Sequence, residues 1–156
     1  MDRQSLMEMM TRSISNVFET AFFQSVEIQS SKESLGTPFF NSTELTGSFL
    51  KFSGKLSGTV SIVAPDAWVK NLTADFLGID VKAVTDNQTQ DTIKEAVNMI
   101  AGHMFSFFDR DGEIQLGIPG MITALTGGDL LKMKGEVLRV MTDNEVLAVV
   151  TDLGAF

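Results

Sequence analysis

The 156-residue chain has no cysteine, so disulfides, thiolate nucleophiles and cysteine-based zinc sites are excluded. It has one histidine, His103, which removes two-histidine chemistry and most metal centres. Basic residues are few: 12 Lys and Arg stand against 20 Asp and Glu, a formal net charge of -8. A general nucleic-acid binder needs cations to displace counterions from phosphates, so this balance argues against one. Long apolar runs are also missing. The longest are a few residues, far short of the roughly 20 needed to span a bilayer. Met1-Asp2-Arg3-Gln4 is not a basic region followed by an apolar stretch. No signal peptide is expected, and the cytoplasm is the expected location.

What is present is a globular composition, 44% apolar and 21% charged, which excludes disorder along the whole chain. The length suits one domain over residues 1–156, with a substantial core. Nine Met and twelve Phe with no Tyr read as a soft Met- and Phe-filled core, or as an adaptable contact surface.

Apolar periodicity predicts a first helix over about 3–24, through Leu6, Met9, Met10, Ile14, Val17, Phe18 and Phe22. Ser30 to Pro38 is turn-rich. Strands are expected over about 44–52 and 55–64, with Ser53-Gly54 as a hairpin turn. Pro65 ends the second strand, and a short helix runs from Asp66 to about Leu77, with Gly78 as its C-cap. A second long helix is expected over about 89–108. Ile93, Val97, Ile100, Met104 and Phe108 form its buried stripe, with Ala96, Ala101 and Phe107 beside it. Asp109-Arg110-Asp111-Gly112 turns the chain. A Gly- and Pro-containing loop over 116–128 follows, with a short strand around 113–117. The last hairpin is expected as Leu131–Met141 and Val146–Asp152 about a turn at Thr142-Asp143-Asn144.

The order repeats: helix, Pro-containing loop and hairpin over 3–64, then again over 89–152. Strands in antiparallel pairs give an α+β class. Two pseudo-symmetric helix-plus-hairpin halves should share one antiparallel sheet, with the two long helices covering a face.

On a helical wheel, Asp91, Glu95, Asn98 and Gly102 fall in a stripe about 60° wide, opposite the buried stripe. Glu95 and Asn98, at i and i+3, point the same way. Lys94 and Met99 flank them, and Gly102 leaves room for close approach. A carboxylate, a carboxamide and a small residue in line can dock a cation and hold a water. On spacing alone an ordinary solvated helix face is the plainer reading, because acidic and amide residues are common on exposed helices.

Asp91-x-x-x-Glu95-x-x-Asn98, then Met99-Ile100-Ala101-Gly102 and Pro119, resembles the signature helix of the CheC, CheX and FliY chemotaxis phosphatases. Glu44-Leu45-Thr46-Gly47-Ser48 and Gly58-Thr59-Val60-Ser61-Ile62 look like that family's first hairpin. The first helix carries Ser15-x-x-x-Glu19-x-x-Phe22, with Phe where the amide would stand. A phenyl ring cannot orient water, so one intact site per chain is expected, which resembles CheX.

The resemblance implies hydrolysis of the phospho-aspartate of a CheY-like response-regulator receiver. Glu95 would pair with a receiver Lys, and Asn98 would align the attacking water. Asp91 either extends the contact or is an acidic residue favoured near the helix N-terminus. Lys94, Met99 and Gly102 would border the partner. The chain would need no cofactor or metal of its own, with Mg²⁺ on the receiver. A homodimer formed by sheet pairing is also implied. The alternatives are a non-catalytic receiver-binding or scaffolding module of the same fold, and a purely structural subunit.

Other residues read more plainly. His103 is expected to be packed rather than a base. Asp109–Glu113 lacks calcium-loop spacing and reads as a turn. Gly127-Gly128 is followed by no Gly-Lys-Ser/Thr, so it is not a phosphate loop. Trp68 is core or an interface anchor.

Overall fold

Two amphipathic helices carry the longest apolar patterns, and both form. The computed structural model describes residues 2–30, 44–122, 126–143 and 145–154, excluding the side chains of residues 108, 127 and 131. Helix α1 (Arg3–Ala21) starts at Asp2, whose carboxylate accepts the Ser5 N–H. It buries Leu6, Met10, Ile14, Val17 and Phe18 along one face. Helix α3 (Asp86–Phe108) buries Ile93, Val97, Ile100 and Met104. Between them lie strands β1 (Glu27–Gln29), β2 (Leu45–Gly54) and β3 (Gly58–Pro65), helix α2 (Asp66–Leu77) and a 3-10 turn at Val81–Ala83. Strands β4 (Ile114–Leu116) and β5 (Gly120–Ile122), helix α4 (Gly127–Lys132) and strands β6 (Glu136–Met141) and β7 (Val146–Asp152) complete the described chain.

The strands form one antiparallel sheet in the order β1-β6-β7-β3-β2-β4, with β5 also on β2. The α+β class and the shared sheet are as expected. β3 and β7 meet at the centre, from Thr59↔Asp152 to Val63↔Ala148. β1 follows α1 yet pairs with β6, whereas β4 and β5 follow α3 yet pair with β2. Each helix therefore leads into a strand bonded to the other half's hairpin, so neither half closes its sheet alone.

Period-two alternation sorts the two faces. Leu50, Phe52, Val60, Ile62, Ala64, Leu138, Val140, Leu147 and Val149 point at the long helices and form the main core with them. Val63, Val137, Ala148 and Val150 point the other way, against Leu130 of α4. Trp68 is buried beside Phe18, ring centroids 6.0 Å apart, so it belongs to the core. Met10 and Met104 are fully buried, and Met7, Met9, Met99 and Met121 pack against the core partly buried.

Several boundaries differ from expectation, each for a local reason. α1 stops at Ala21, not 24: Phe23 adopts φ 56 and the Gln24 N–H donates back to the Phe18 carbonyl at 2.9 Å. Ser53-Gly54 is strand, not turn. β4 pairs there (Ser53↔Gln115, Gly54↔Ile114), and the reversal falls at 55–57. Gly54, at φ 123, lies so close to the Glu113 carbonyl that no Cβ fits. α3 begins at 86 rather than 89 because Thr85 and Gln88 form a reciprocal capping box. Residues 131 and 132 are helical, not strand, because Thr126 and Asp129 cap α4 in the same way. Phe107, expected beside the buried stripe, is 48% exposed. Phe105 fills the core there instead, 4.7 Å from the Phe52 ring. β1, β5 and the 3-10 turn are too short to show a period. The expected Pro38 loop beyond Ser30, Asn144 of the last turn and the Phe108 side chain lie outside the described residues. Asp66–Leu77 with a left-handed Gly78 cap, the strand within 113–117 and Val146–Asp152 are as expected. Among the described residues no helix is long and apolar enough to cross a membrane.

Candidate functional site

Because α3 presses one face on the sheet, the opposite stripe is lifted into solvent. Asp91 and Glu95 are exposed, while Lys94, Asn98, Met99 and Gly102 are half-buried. The structure brings Glu95 and Asn98 together on that face, one turn apart. None of Asp91, Lys94, Glu95 or Asn98 has a side-chain hydrogen bond or ion pair with a described residue. Their polar groups are free for a partner. Met99 leans onto the core and serves the stripe as its apolar shoulder. A Cβ at Gly102 would meet only Leu116 Cδ1, at 4.0 Å. The lane beside Asn98 is thus open on the helix and bordered by the sheet edge.

That border is a bulge. Ile114–Leu116 pair with Gly54–Phe52, and Gly120–Ile122 pair with Phe49–Gly47. Three residues, Gly117–Pro119, therefore face only Leu50 and Lys51, one residue too many. Pro119 has no N–H to give the ladder, which suits it to this gap. The bulge is clamped at both ends: Gly117 N–H donates to the Lys51 carbonyl at 2.7 Å, and Ser48 Oγ donates to the Gly120 carbonyl at 2.8 Å. Side chains are excluded there, since a Cβ on Gly117 would lie 2.9 Å from the Lys51 oxygen. On the crest, Ile118 is 92% exposed. Pro119 is legible only through the resemblance to the family helix and its downstream Pro. Leu116 and Ile118 carry no motif, and only the strand register reveals them.

The corresponding stripe of α1 does not repeat this pairing. Glu19 is exposed, but Phe22 lies past the helix end as its C-cap. Its ring is buried between Phe18 (5.8 Å) and Phe76 (5.3 Å).

His103 faces α1. Its Nδ1 is 3.0 Å from Ser13 Oγ, and its ring meets Phe107 edge-on at 4.8 Å. It is a packed residue away from the stripe. Asp109 is the hub of a turn: its two oxygens accept the N–H groups of Glu113 and Ile114, each at 2.8 Å. Among the described residues no group of three or more His, Asp or Glu side chains is placed to hold a metal.

The family model for the chemotaxis phosphatase CheX matches residues 46–138, a span that contains α3, the stripe and Pro119. The chain belongs to the CheX family. CheX-family folds match it end to end. The CheX of a CheX–CheY–BeF3–Mg²⁺ complex from Borrelia burgdorferi superposes with TM-score 0.73 at 14% identity, over 96% of this chain and 98% of that one. A CheC-like chemotactic protein from Shewanella oneidensis gives 0.72 at 14% identity, over 98% and 100%. CheX from Desulfovibrio desulfuricans gives 0.68 at 16% identity, over 96% and 99%. At such identities the likeness speaks for the CheX fold alone. No curated protein matches the chain.

Proposed function

We propose that this chain is a cytoplasmic phosphatase of CheY-like receiver domains, with Glu95 anchoring the receiver and Asn98 orienting the attacking water. The reaction splits an acyl phosphate: water attacks phosphorus in line, the P–O bond to the receiver aspartate breaks, and carboxylate and phosphate leave. Protein catalysis of phosphoryl transfer is chiefly positioning and electrostatics, so few groups suffice. The carboxamide of Asn98 can accept a hydrogen from the water and donate one to a phosphoryl oxygen, and it carries no charge to repel the phosphoryl group. Glu95, one turn earlier, supplies the charge that an ammonium of the receiver would meet. Asp91 and Lys94 extend the polar edge of the same contact. The Mg²⁺ that neutralises the phosphoryl group would belong to the receiver. The Borrelia burgdorferi CheX structure is of a complex with CheY, BeF3 and Mg²⁺, which supports this reading.

The observation that carries the proposal is the pairing of Glu95 and Asn98 on one exposed stripe, both without an internal partner, in a CheX-family chain. The test is the lifetime of phosphate on receiver domains encoded with this chain. Addition of the chain should shorten it. Asn98→Ala should remove the acceleration, a loss on the order of 10²-fold or more, yet keep receiver binding. Glu95→Ala should weaken binding as well. Full acceleration by Asn98→Ala would sink the mechanism. Binding without any acceleration by the unaltered chain would point to a scaffolding module instead.

A further inference from the structure

We infer that Ile118 is a docking residue of this site, an apolar peg that seats against the receiver beside its phospho-aspartate. The inference rests on the proposed function and adds a contact that no motif contains.

The segment from Leu116 to Ile122 runs antiparallel to α3. Leu116 lies against Gly102. Met121 and Ile122 share a cleft of about 350 Å³ with Thr89 and Gln90 near the helix start. The two lengths agree. Twelve helical residues from Gly102 back to Gln90 rise about 18 Å, and Leu116 to Ile122, paired with Phe52 back to Gly47, span five strand steps or about 17 Å. Ile118, the middle of the three bulge residues, lies opposite Lys51 and Leu50, about 5 Å past Leu116, which equals three to four helical residues. That places Ile118 level with Asn98.

Three further features fit a docking role. Ile118 is the most exposed large apolar side chain among the described residues, at 92%. A single exposed apolar residue is ordinary on a flexible loop. This one sits on a bulge pinned on both sides by the Gly117–Lys51 and Ser48–Gly120 hydrogen bonds and followed by Pro119. A rigid apolar group loses little entropy when a partner covers it. Lastly, it borders a polar stripe, and a buried apolar contact beside charged pairs keeps water from those pairs. The occupant is therefore an apolar patch flanking the receiver's phosphorylation site.

The experiment measures both turnover of phosphorylated receiver and binding to a receiver activated with beryllium fluoride and Mg²⁺. It compares the unaltered chain with Ile118→Ala and Ile118→Asp, and thermal melts check the fold. Burial of an isoleucine side chain predicts about a tenfold rise in KM and Kd for the alanine variant, and a larger one for aspartate. The kcat at saturating receiver should stay within about twofold, because Asn98 is untouched. Unchanged KM and Kd in Ile118→Asp, with normal turnover by the unaltered chain, would overturn the inference and leave the proposed function standing. Loss of binding in Ile118→Asp without turnover by any form would support the docking role and overturn the catalytic reading. If the unaltered chain neither binds nor hydrolyses any receiver tested, both fall.

Discussion

At Gly102 the helix offers a hydrogen where any other residue would project a side chain over the site. Side chains on a helix lean toward its N-terminus, so a group added at 102 would reach toward Asn98, one turn earlier. The space for a methyl exists, since the built Cβ meets only Leu116 Cδ1 at 4.0 Å. Stability and function should therefore part company here. Gly102→Ala removes the helix penalty of glycine and should stabilise the fold by about 1 kcal/mol, raising Tm by about 2–4 °C. Gly102→Phe should fold with a Tm close to that of the unaltered chain but cover Asn98, raising KM for phosphorylated receiver about tenfold or more. Thermal melts and receiver-phosphate decay read the two effects separately. A fully active Gly102→Phe would show that the partner does not use the lane. The contrast with Phe22 makes the same point about single residues. In α1 the position matching Asn98 is both a phenylalanine and the helix C-cap, so one side chain exchanges a site for core.

The elements are held in register by polar junctions that respond to pH. Asp66 opens α2 and ties it to β2: its carboxylate accepts from Thr46 Oγ1 at 2.8 Å and pairs with Lys70 Nζ at 3.0 Å. Burial works to raise the Asp66 carboxyl, but the Thr46 hydroxyl and Lys70 outweigh it and hold it below the usual 3.8. Asp2 and Asp129 are lowered by the N–H groups and hydroxyls of Ser5 and Thr126 that they cap. A depressed carboxyl contributes stability at pH values above its unfolded value, and this is lost as pH falls through the folded one. Lys70 is raised by the same pair with Asp66, so its share persists below its ordinary 10.5 and is lost only at higher pH. Tm should therefore be flat near neutrality and fall below about pH 4. Asp66→Asn should lower Tm at pH 7, and its deficit against the unaltered chain should shrink at about pH 3, where the native carboxyl begins to protonate. An Asp66→Asn penalty that is the same at both pH values would contradict this. The long helices are legible because burial on one face imposes a period of 3.6 on 19 and 23 residues, and β3 and β7 because central strands buried on both faces read as near-continuous apolar, β-branched runs of 8 and 7 residues. β1 and β5 have three residues each and owe their form to partners in β6 and β2, which no local pattern announces. The capping pairs Thr85/Gln88 and Thr126/Asp129 are visible in the sequence and mark the start of α3 and the presence of α4, a helix where a loop and a strand are expected. Of the proposed site, Glu95, Asn98 and Pro119 are picked out by the resemblance to the CheC, CheX and FliY helix, since spacing alone leaves a solvated helix face as the plainer reading. Ile118 is not, because its place beside Asn98 depends on a bulge between strands distant in sequence.

For the molecule as a whole, the sheet has two ends, and they differ. On one, Pro119 and the bulge interrupt the outer row of hydrogen-bonding groups, which blunts that edge and leaves it to the site. On the other, β1 lies outside β6 with its pairing unbroken from Glu27↔Met141 to Gln29↔Arg139, and its outer backbone groups face no further strand of the described residues. We propose that the chain forms a homodimer by pairing at the β1 edge, which leaves the α3 stripe and Ile118 of each copy free for a receiver. The charge works against it: two chains of -8 make -16, so like-charge repulsion opposes association and salt should relieve it. Sedimentation velocity should find a species of twice 17.0 kDa, and dimerisation should tighten as salt rises from about 0.05 to 0.5 M. A dimer held by surface ion pairs would instead loosen with salt, and a 17.0 kDa species at all salt and protein concentrations would rule pairing out. Receiver turnover per chain should be the same in the monomeric and dimeric ranges, because every residue assigned to the site comes from one chain.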